Sequence, residues 1–521
     1  MNLIKYLNIT IIIFFSFFIN WYSANLGVMP IDTFGFFDTG YNILNGQFPI
    51  RDYWAYTGIT VDYLQSLFFL IFGNNWHSYI IHSSFINVTS SLIFYFFLRD
   101  LNISKVFSLF YTLSFATLLY PVSGTPFAYL HAYIFSILGI MIFFLFNNLK
   151  NRKLLIFIPS IFFFAFFSMQ TPSIYIGLVL LIFIFYLIVF KKEYFLIESI
   201  TYGSLLSILF LIIYLFLTDT SFKDLIYQYF LFPISIGDGR MASEVDAYVK
   251  LSDQLNFKRI FGDFKFIHVF LIPLIIFSIK DLKKNKVSDL TLQIIVFIFC
   301  TIFLIYNQLL QANQIYIFSL IPILAALLHA YINKNYKKNF LISWILIVIL
   351  SFISFKYHLR FNVDRKFIDL ENIDKSIGFK ANTLHANFKG LYWLTNLKST
   401  EEDKLLLQKA LEILKKEKEN SYIFTHYQFF STILNEKFYI LNRWYLWDNN
   451  SHPTENHKYF AYYKKFASND FDKNKIKNIY LINEKNEISF KNIRNYFDNK
   501  CFTEEKILNE RLIKLSLKNC N

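Results

Sequence analysis

The feature of this sequence that most constrains its fold is a regular alternation of long apolar runs with short clusters of lysine and arginine. A helix that spans a bilayer needs about 20 mostly apolar residues. Between successive runs, every second gap is basic, and the gaps between those are polar, aromatic or proline-containing. Basic loops remain on the cytoplasmic side of a membrane. The pattern therefore predicts a multi-pass protein of the inner (plasma) membrane with a cytoplasmic N terminus.

Composition supports this class and excludes others. Hydrophobic residues make up 55% of the 521 residues and charged residues only 17%, which is too apolar for a soluble domain. The net charge of +14 is spread over clusters between apolar runs, so we expect no nucleic-acid partner. Of the three cysteines, Cys300 lies in an apolar run, which excludes a thiolate metal site. Cys501 and Cys520 are positioned to pair if their end of the chain lies in an oxidising compartment.

The predicted fold class is a polytopic α-helical membrane protein, with about 11 transmembrane helices and a small C-terminal extracytoplasmic α/β domain. An odd number of spans places the C terminus outside the cell or in the periplasm. The predicted spans lie near residues 3–24, 77–98, 104–120, 126–148, 154–168, 173–190, 195–217, 265–279, 289–306, 315–332 and 339–356. The apolar piece Ile59 to Phe72 is expected to lie at the interface, because counting it as a span would invert every later loop.

Two regions follow from this topology. Residues 1–356 form the transmembrane module, with a first outer loop at 25–76 and a second large outer loop at 218–264. Residues 357–521 form the soluble periplasmic or extracellular domain. In that domain, Glu401 to Lys416 has apolar residues at helical spacing, with acidic residues first and lysines last. Three short β-prone runs follow, at Ser421–Thr425, Phe438–Leu441 and Asn478–Ile482.

The first outer loop carries four aspartates next to the membrane, where an unused carboxylate is costly. Asp32 opens the loop directly after the first span, where low polarity would strengthen it as a base. The alternative is that it caps the loop helix containing Phe36 to Leu44. Asp38 is expected on a helix surface, or as a second carboxylate. Asp52 beside Arg51 fits either a paired turn or a positioning role, and Asp62 is expected to be solvated.

The run from Ile31 to Trp54, IDTFGFFDTGYNILNGQFPIRDYW, resembles the first periplasmic loop of the C-type glycosyltransferases. This family includes protein O-mannosyltransferases, the lipid A aminoarabinose transferase and the rhizobial lipopolysaccharide-core transferases. Asp32 matches the acidic residue that opens the family's loop, Gly46 the helix end, and Pro49 to Tyr53 the turn. More weakly, the tail segment SYIFTHYQFFSTILNEKFYILNRW also resembles the family.

This sequence departs from the family's loop at two places. Thr33 follows Asp32 where Asp-Glu is common, and Tyr56 to Gly58 replaces a double proline. The first departure leaves Asp38 as a possible substitute for either carboxylate of the family's pair. Asp52 is a further candidate for the second carboxylate.

The resemblance implies an inverting hexosyl- or pentosyl-transferase. It would move a sugar from a polyprenyl-phosphate donor to a glycan, lipid or protein at the outer membrane face. Asp32 would be the general base, and a cationic side chain would hold the leaving phosphate. No cofactor is then required, although two neighbouring carboxylates could hold Mg or Mn. The candidates for the phosphate are Arg240, Arg51, Lys223 and Arg259, and those for the sugar pocket are Tyr53, His131, Gln170 and Gln314.

Two other functions remain open. A transporter or flippase of lipid-linked sugars would also be polytopic and basic, but it should carry charged residues within its spans. An O-antigen polymerase or ligase would share the donor chemistry but place its long loop late in the chain. The long early loop and the external C-terminal domain favour the transferase.

Overall fold

The computed structural model describes residues 2–119, 122–148, 152–242, 251–311, 315–336, 340–396, 399–483 and 488–520. Within them, eight helices are long and apolar enough to cross a membrane, which is compatible with the predicted polytopic helical membrane protein. These are Tyr6–Ala24, Trp76–Asp100, Ala128–Asn148, Gln170–Lys191, Phe195–Thr218, Asp289–Leu310, Ile315–Asn335 and Phe340–Ile368. Helices also cover most of the described residues in the predicted spans at 104–120, 154–168 and 265–279. These helices are shorter or carry more charge, so the total of about 11 remains a prediction.

The helices are numbered here in chain order, with short 3-10 and π-helical turns between some of them. Those up to the second large loop are α1 Asn2–Ala24, α2 Pro30–Thr33, α3 Phe37–Leu44, α4 Ile59–Phe72, α5 Trp76–Asp100, α6 Lys105–Leu118, α7 Ala128–Asn148, α8 Ile158–Ser168, α9 Gln170–Lys191 and α10 Phe195–Thr218. The later ones are α11 Phe222–Leu225, α12 Phe232–Ala242, α13 Leu251–Gln254, α14 Phe257–Gly262, α15 Lys265–Lys283, α16 Asp289–Leu310, α17 Leu320–Asn335, α18 Phe340–Tyr357, α19 Thr400–Leu414, α20 Phe430–Leu434, α21 Phe460–Lys473 and α22 Phe490–Tyr496.

Local sequence explains where several helices begin. Asn75 caps α5 by accepting a hydrogen bond from the Ser78 amide at 3.1 Å, and Ser104 and Ser399 cap α6 and α19 in the same way. Gly58 precedes α4 with φ at +83°, and a Cβ there would lie 2.4 Å from the guanidinium of Arg443. Glycine is therefore required where the first loop turns into α4.

The C-terminal region contains two sheets. Strands β1 Phe379–Lys380 and β2 Tyr392–Trp393 pair antiparallel. The larger sheet has the order β3-β4-β6-β5, built from β3 Ser421–Thr425, β4 Asn478–Ile482, β5 Cys501–Leu508 and β6 Leu512–Lys518. Its β3 and β4 are parallel and its other pairs antiparallel. β3 and β4 are the predicted strands, whereas the predicted strand at Phe438–Leu441 contributes only an isolated bridge between Tyr422 and Tyr439.

The C-terminal region packs directly on the first loop. Backbone hydrogen bonds join Gly27 and Val28 to the β2 segment, and the Trp54 amide donates to the Leu441 carbonyl at 2.8 Å. A single apolar core contains Phe34, Phe36 and Phe37 of the loop together with Phe388, Trp393, Leu407, Phe429 and Phe430 of the tail. The tail and the loop therefore form one structural unit, although sequence patterning divides them near residue 356.

The loops separate into two groups at opposite ends of the helices. The first loop, the segment from Thr218 to α12, and the tail all contact one another: Arg51 donates to the Thr218 carbonyl, and Ser235 pairs with His457. At the opposite ends, Asp281 beside the basic cluster of α15 accepts from Tyr331 of α17. This grouping agrees with the alternation of basic and non-basic gaps in the sequence.

Candidate functional site

The structure gives the four aspartates of the first loop very different environments. Asp38, Asp52 and Asp62 are at most 5% exposed, whereas Asp32 keeps part of its surface exposed. The environment of each carboxylate decides which of them is available for chemistry with a substrate.

Asp62 is fully buried near the start of α4, so the expectation that it is solvated is wrong. It forms an ion pair with Arg443 of the tail and accepts hydrogen bonds from Thr39 at 2.5 Å and Tyr53 at 3.1 Å. Burial raises the pKa of Asp62 to about 6, while Arg443 and the two hydroxyl donors act in the opposite direction. At neutral pH the carboxylate is charged and paired, so its role is to hold α4, α3 and the tail together.

Asp38 is also buried, which corrects its expected place on a helix surface. Its carboxylate accepts from the amides of Ser431 and Thr432, at 3.2 and 2.9 Å, and from the Thr432 hydroxyl at 2.6 Å. These groups belong to α20, so Asp38 joins the loop to the tail. Burial raises its pKa to about 7, against the lowering effect of the hydrogen bonds. Asp38 lies in contact with the tail and not in an open site.

Arg51 and Asp52 form a paired turn. Asp52 binds Arg51 at 2.6 Å and Lys473 of α21 at 2.8 Å, and it accepts from the Phe48 amide. Arg51 also donates to the carbonyls of Gly46 and Thr218. Since the guanidinium is occupied by these local acceptors, the contacts favour the structural alternative for both residues over phosphate binding.

Asp32 lies in the first turn of the short helix α2, which Pro30 begins at its N terminus. The carbonyl of the preceding residue, Ile31, accepts a 2.9 Å hydrogen bond from the indole of Trp444. Behind α2 lies the shared core of Phe34 and the tail aromatics. The backbone around Asp32 is thus held in place shortly after the end of α1, on the side where the loops meet. Among the four aspartates of the first loop, Asp32 is the one that keeps exposed surface.

The three remaining phosphate candidates lie on the second large loop. Arg240 is half-buried in the last turn of α12, a helix held to the tail through Ser235 and His457. Lys223 is exposed above the stacked rings of Tyr227 and Tyr462. Arg259 pairs with Asp263 at 3.0 Å and also binds Gln254.

The sugar-pocket candidates are dispersed. Tyr53 is buried against Asp62, and Gln170 joins the carbonyls of Tyr56 and Tyr229. His131 lies within α7, where its Nε2 is 3.2 Å from that of His82. Gln314 lies outside the described residues. The structure therefore does not bring the three described candidates, Tyr53, His131 and Gln170, into one pocket.

Two contributors lie in the tail and were missed by sequence reasoning. Arg443 supplies the cation for Asp62 and lies 4.4 Å from the ring centre of Phe36, and Trp444 bonds to α2. The only signal in the sequence is the polar-aromatic Asn442-Arg443-Trp444 run after a β-prone segment, which does not indicate a partner 381 residues away.

An apolar cavity of about 360 Å³ lies between α4, α7, α8 and α10. Its walls include Ile59, Tyr63, Phe163, Phe167 and Tyr214, and Tyr63 follows the buried Asp62 in α4. This lining suits a hydrocarbon chain and contains no charged group.

In the described residues, no three histidine, cysteine or acidic side chains are grouped closely enough to hold a metal ion. Comparison with known proteins adds no assignment: no family model matches the chain, and no curated protein matches it.

Proposed function

We propose that this protein is an inverting glycosyltransferase that moves a sugar from a polyprenyl-phosphate donor to an acceptor at the outer face of the membrane. The acceptor hydroxyl attacks the anomeric carbon, its proton passes to Asp32, and the bond from that carbon to the phosphate oxygen breaks. The lipid phosphate leaves with the electron pair, and a cationic side chain stabilises it. Arg240 is our first choice for this cation because a guanidinium binds two phosphate oxygens at once.

The observation that carries the proposal is the difference in solvent exposure among the four aspartates of the first loop. Asp38, Asp52 and Asp62 are buried in contacts that hold the loop and the tail together, while Asp32 retains exposed surface. A general base must reach its substrate, so Asp32 is the aspartate of this loop best suited to that role. The apolar cavity along α4 supports a substrate with a hydrocarbon chain.

The orientation rests on two arguments. The loops that meet around Asp32 are those without basic clusters, which favours the outer side. The tail on that side contains the Cys501–Cys520 disulfide, with 5.3 Å between the Cα atoms, and disulfides persist in oxidising compartments.

The proposal is tested by incubating the purified full chain with synthetic polyprenyl-phosphate sugars that differ in the sugar, together with an envelope extract as the source of acceptor. A transferase releases free polyprenyl phosphate, which mass spectrometry detects, and extends an acceptor by one sugar. A flippase or another transporter leaves every donor intact. Intact donors across hexoses and pentoses would contradict the proposal.

A further inference from the structure

The tail places a tryptophan, Trp444, against the backbone of α2, the short helix that carries Asp32. The indole Nε1 of Trp444 donates to the carbonyl of Ile31, the residue before Asp32, at 2.9 Å. The ring also lies against Gly35, where an added Cβ would be 3.3 Å from Nε1. Trp444 is therefore fixed against the short stretch of backbone that carries the proposed base.

The position of Trp444 is fixed by the buried contacts of its neighbour, Arg443. Arg443, the preceding residue, is 2% exposed and is held by Asp62 and by the Thr57 carbonyl. Its guanidinium lies 4.4 Å from the ring centre of Phe36 and 5.4 Å from that of Trp444. A buried ion pair of this kind breaks only at a large free-energy cost, so the tryptophan next to it keeps one position.

Trp444 differs from the core tryptophans because part of its surface remains exposed, whereas Trp54, Trp76 and Trp393 are at most 1% exposed. Tyr56 is also part-exposed, and the centre of its ring lies 6.1 Å from that of Trp444, with an angle of 61° between the ring planes. Phe232 of the second loop packs on Tyr56. An aromatic group with exposed surface, built from the first loop, the second loop and the tail, thus lies against the short helix that carries Asp32.

The chemistry of such a surface selects one class of ligand. The face of an aromatic ring is electronegative and the C–H bonds on one face of a pyranose are weakly positive, so the two attract and both exclude water. A lipid phosphate would instead require cations. Because a general base contacts the acceptor hydroxyl, an aromatic surface against the helix of Asp32 is well placed to contact the acceptor.

We infer that Trp444, with Tyr56, binds a pyranose ring of the acceptor, so that the acceptor is a glycan or glycolipid and not an unglycosylated protein. The inference rests on the proposed transferase function and narrows its acceptor class. Trp444 thereby sets acceptor affinity, while Asp32 acts on the proton.

The test measures binding without requiring catalysis. Methyl α-pyranosides of glucose, galactose and mannose are added to the purified full chain, and saturation-transfer NMR reports which ring protons contact the protein. We expect at least one pyranoside to bind, with a dissociation constant that rises about tenfold in Trp444→Ala, equivalent to about 1.4 kcal/mol, and less in Trp444→Phe. No pyranoside binding, or equal binding by Trp444→Ala, overturns the inference.

The matched control is Trp447→Ala, since Trp447 lies in the same tail segment but packs on Tyr445 and His452. This variant should bind as the wild type does, and an equal loss in both variants would assign Trp444 a structural role and overturn the inference. The Trp444→Phe variant retains an aromatic ring and guards against misfolding of the alanine variant.

Activity separates this inference from the proposed function. In the transfer assay, Trp444→Ala should raise the acceptor KM by a larger factor than it lowers kcat. An unchanged acceptor KM, or a loss confined to kcat, would overturn the acceptor assignment. If the wild type cleaves no donor yet binds a pyranoside through Trp444, the proposed transferase reaction is refuted, while sugar binding by Trp444 is supported.

Discussion

Replacing Arg443 by methionine should release the C-terminal region from the first loop. Arg443 and Asp62 are 2% and 0% exposed, so the variant leaves a buried carboxylate without its cation. Removing one partner of a buried pair destabilises proteins by about 3–5 kcal/mol. Methionine preserves most of the packing against Phe36, so the lost charge pair dominates the change.

The assay is hydrogen exchange of the full chain in detergent micelles, followed by mass spectrometry of peptides from 25–75 and 421–445. A loss of about 4 kcal/mol lowers protection in both segments by two to three orders of magnitude, if those amides exchange through undocking of the tail. Peptides from α16, whose buried side chains belong to the apolar core of the helices and not to the core shared by the loop and the tail, should not change. Adding Asp62→Asn to Arg443→Met removes the unpaired charge and should restore most of the protection.

The control is Arg494→Met, which removes an exposed arginine from α22 in the same tail. Surface substitutions usually change stability by about 0.5 kcal/mol or less. Wild-type protection of both segments in Arg443→Met would refute the reasoning, because the buried pair would then contribute nothing to docking.

The remaining predictions concern other contacts of the same unit. Burial raises the pKa of Asp38 to about 7, so the folded state binds a proton more tightly than the unfolded state does. Docking of the tail should therefore weaken as the pH rises from about 4 to about 7. The Asp38→Asn variant should show a flatter pH dependence of the melting temperature in a thermal-shift series. Replacing Arg51 with alanine should lower the free energy of unfolding by about 2 kcal/mol, because the contacts of its turn are lost, and should leave the donor affinity of the folded protein unchanged. A selective loss of donor binding would instead assign Arg51 to the phosphate. Serine at both Cys501 and Cys520 should destabilise the β5–β6 hairpin by about 2–3 kcal/mol, read by exchange in that hairpin, without altering transfer. Adding EDTA to the transfer assay should leave the rate unchanged. A rate that is lost with EDTA and recovered with Mg or Mn would contradict the claim that the reaction requires no metal ion.

The sequence predicts the helical part of this fold well because a membrane requires long apolar helices and leaves basic residues in alternate gaps. α19, β3 and β4 were also predictable, since each has a local signal of its own. The hairpin of β5 and β6 was missed because the four central residues of β5, Thr503 to Lys506, are polar and exposed, so the strand lacks a buried alternating pattern.

The candidate site was less predictable because its contacts link distant parts of the chain. Asp38 and Asp62 look like surface carboxylates in sequence, yet their partners Thr432 and Arg443 lie more than 380 residues away. Local patterning carries no information about such pairs. The choice of Asp32 came from its position after the first span and from the family resemblance, and it remains a prediction.

The most direct test of the central claim compares Asp32→Asn with Asp472→Asn in the transfer assay. Asp472 is an exposed aspartate of the tail, paired with Lys500, so its variant makes the same chemical change away from the loop. A lost general base lowers rates by about 10²–10⁴-fold. The account predicts a loss of this size in kcat for Asp32→Asn, with unchanged exchange protection of residues 25–75, and a wild-type rate for Asp472→Asn. Full transfer activity in a correctly inserted Asp32→Asn variant would contradict it.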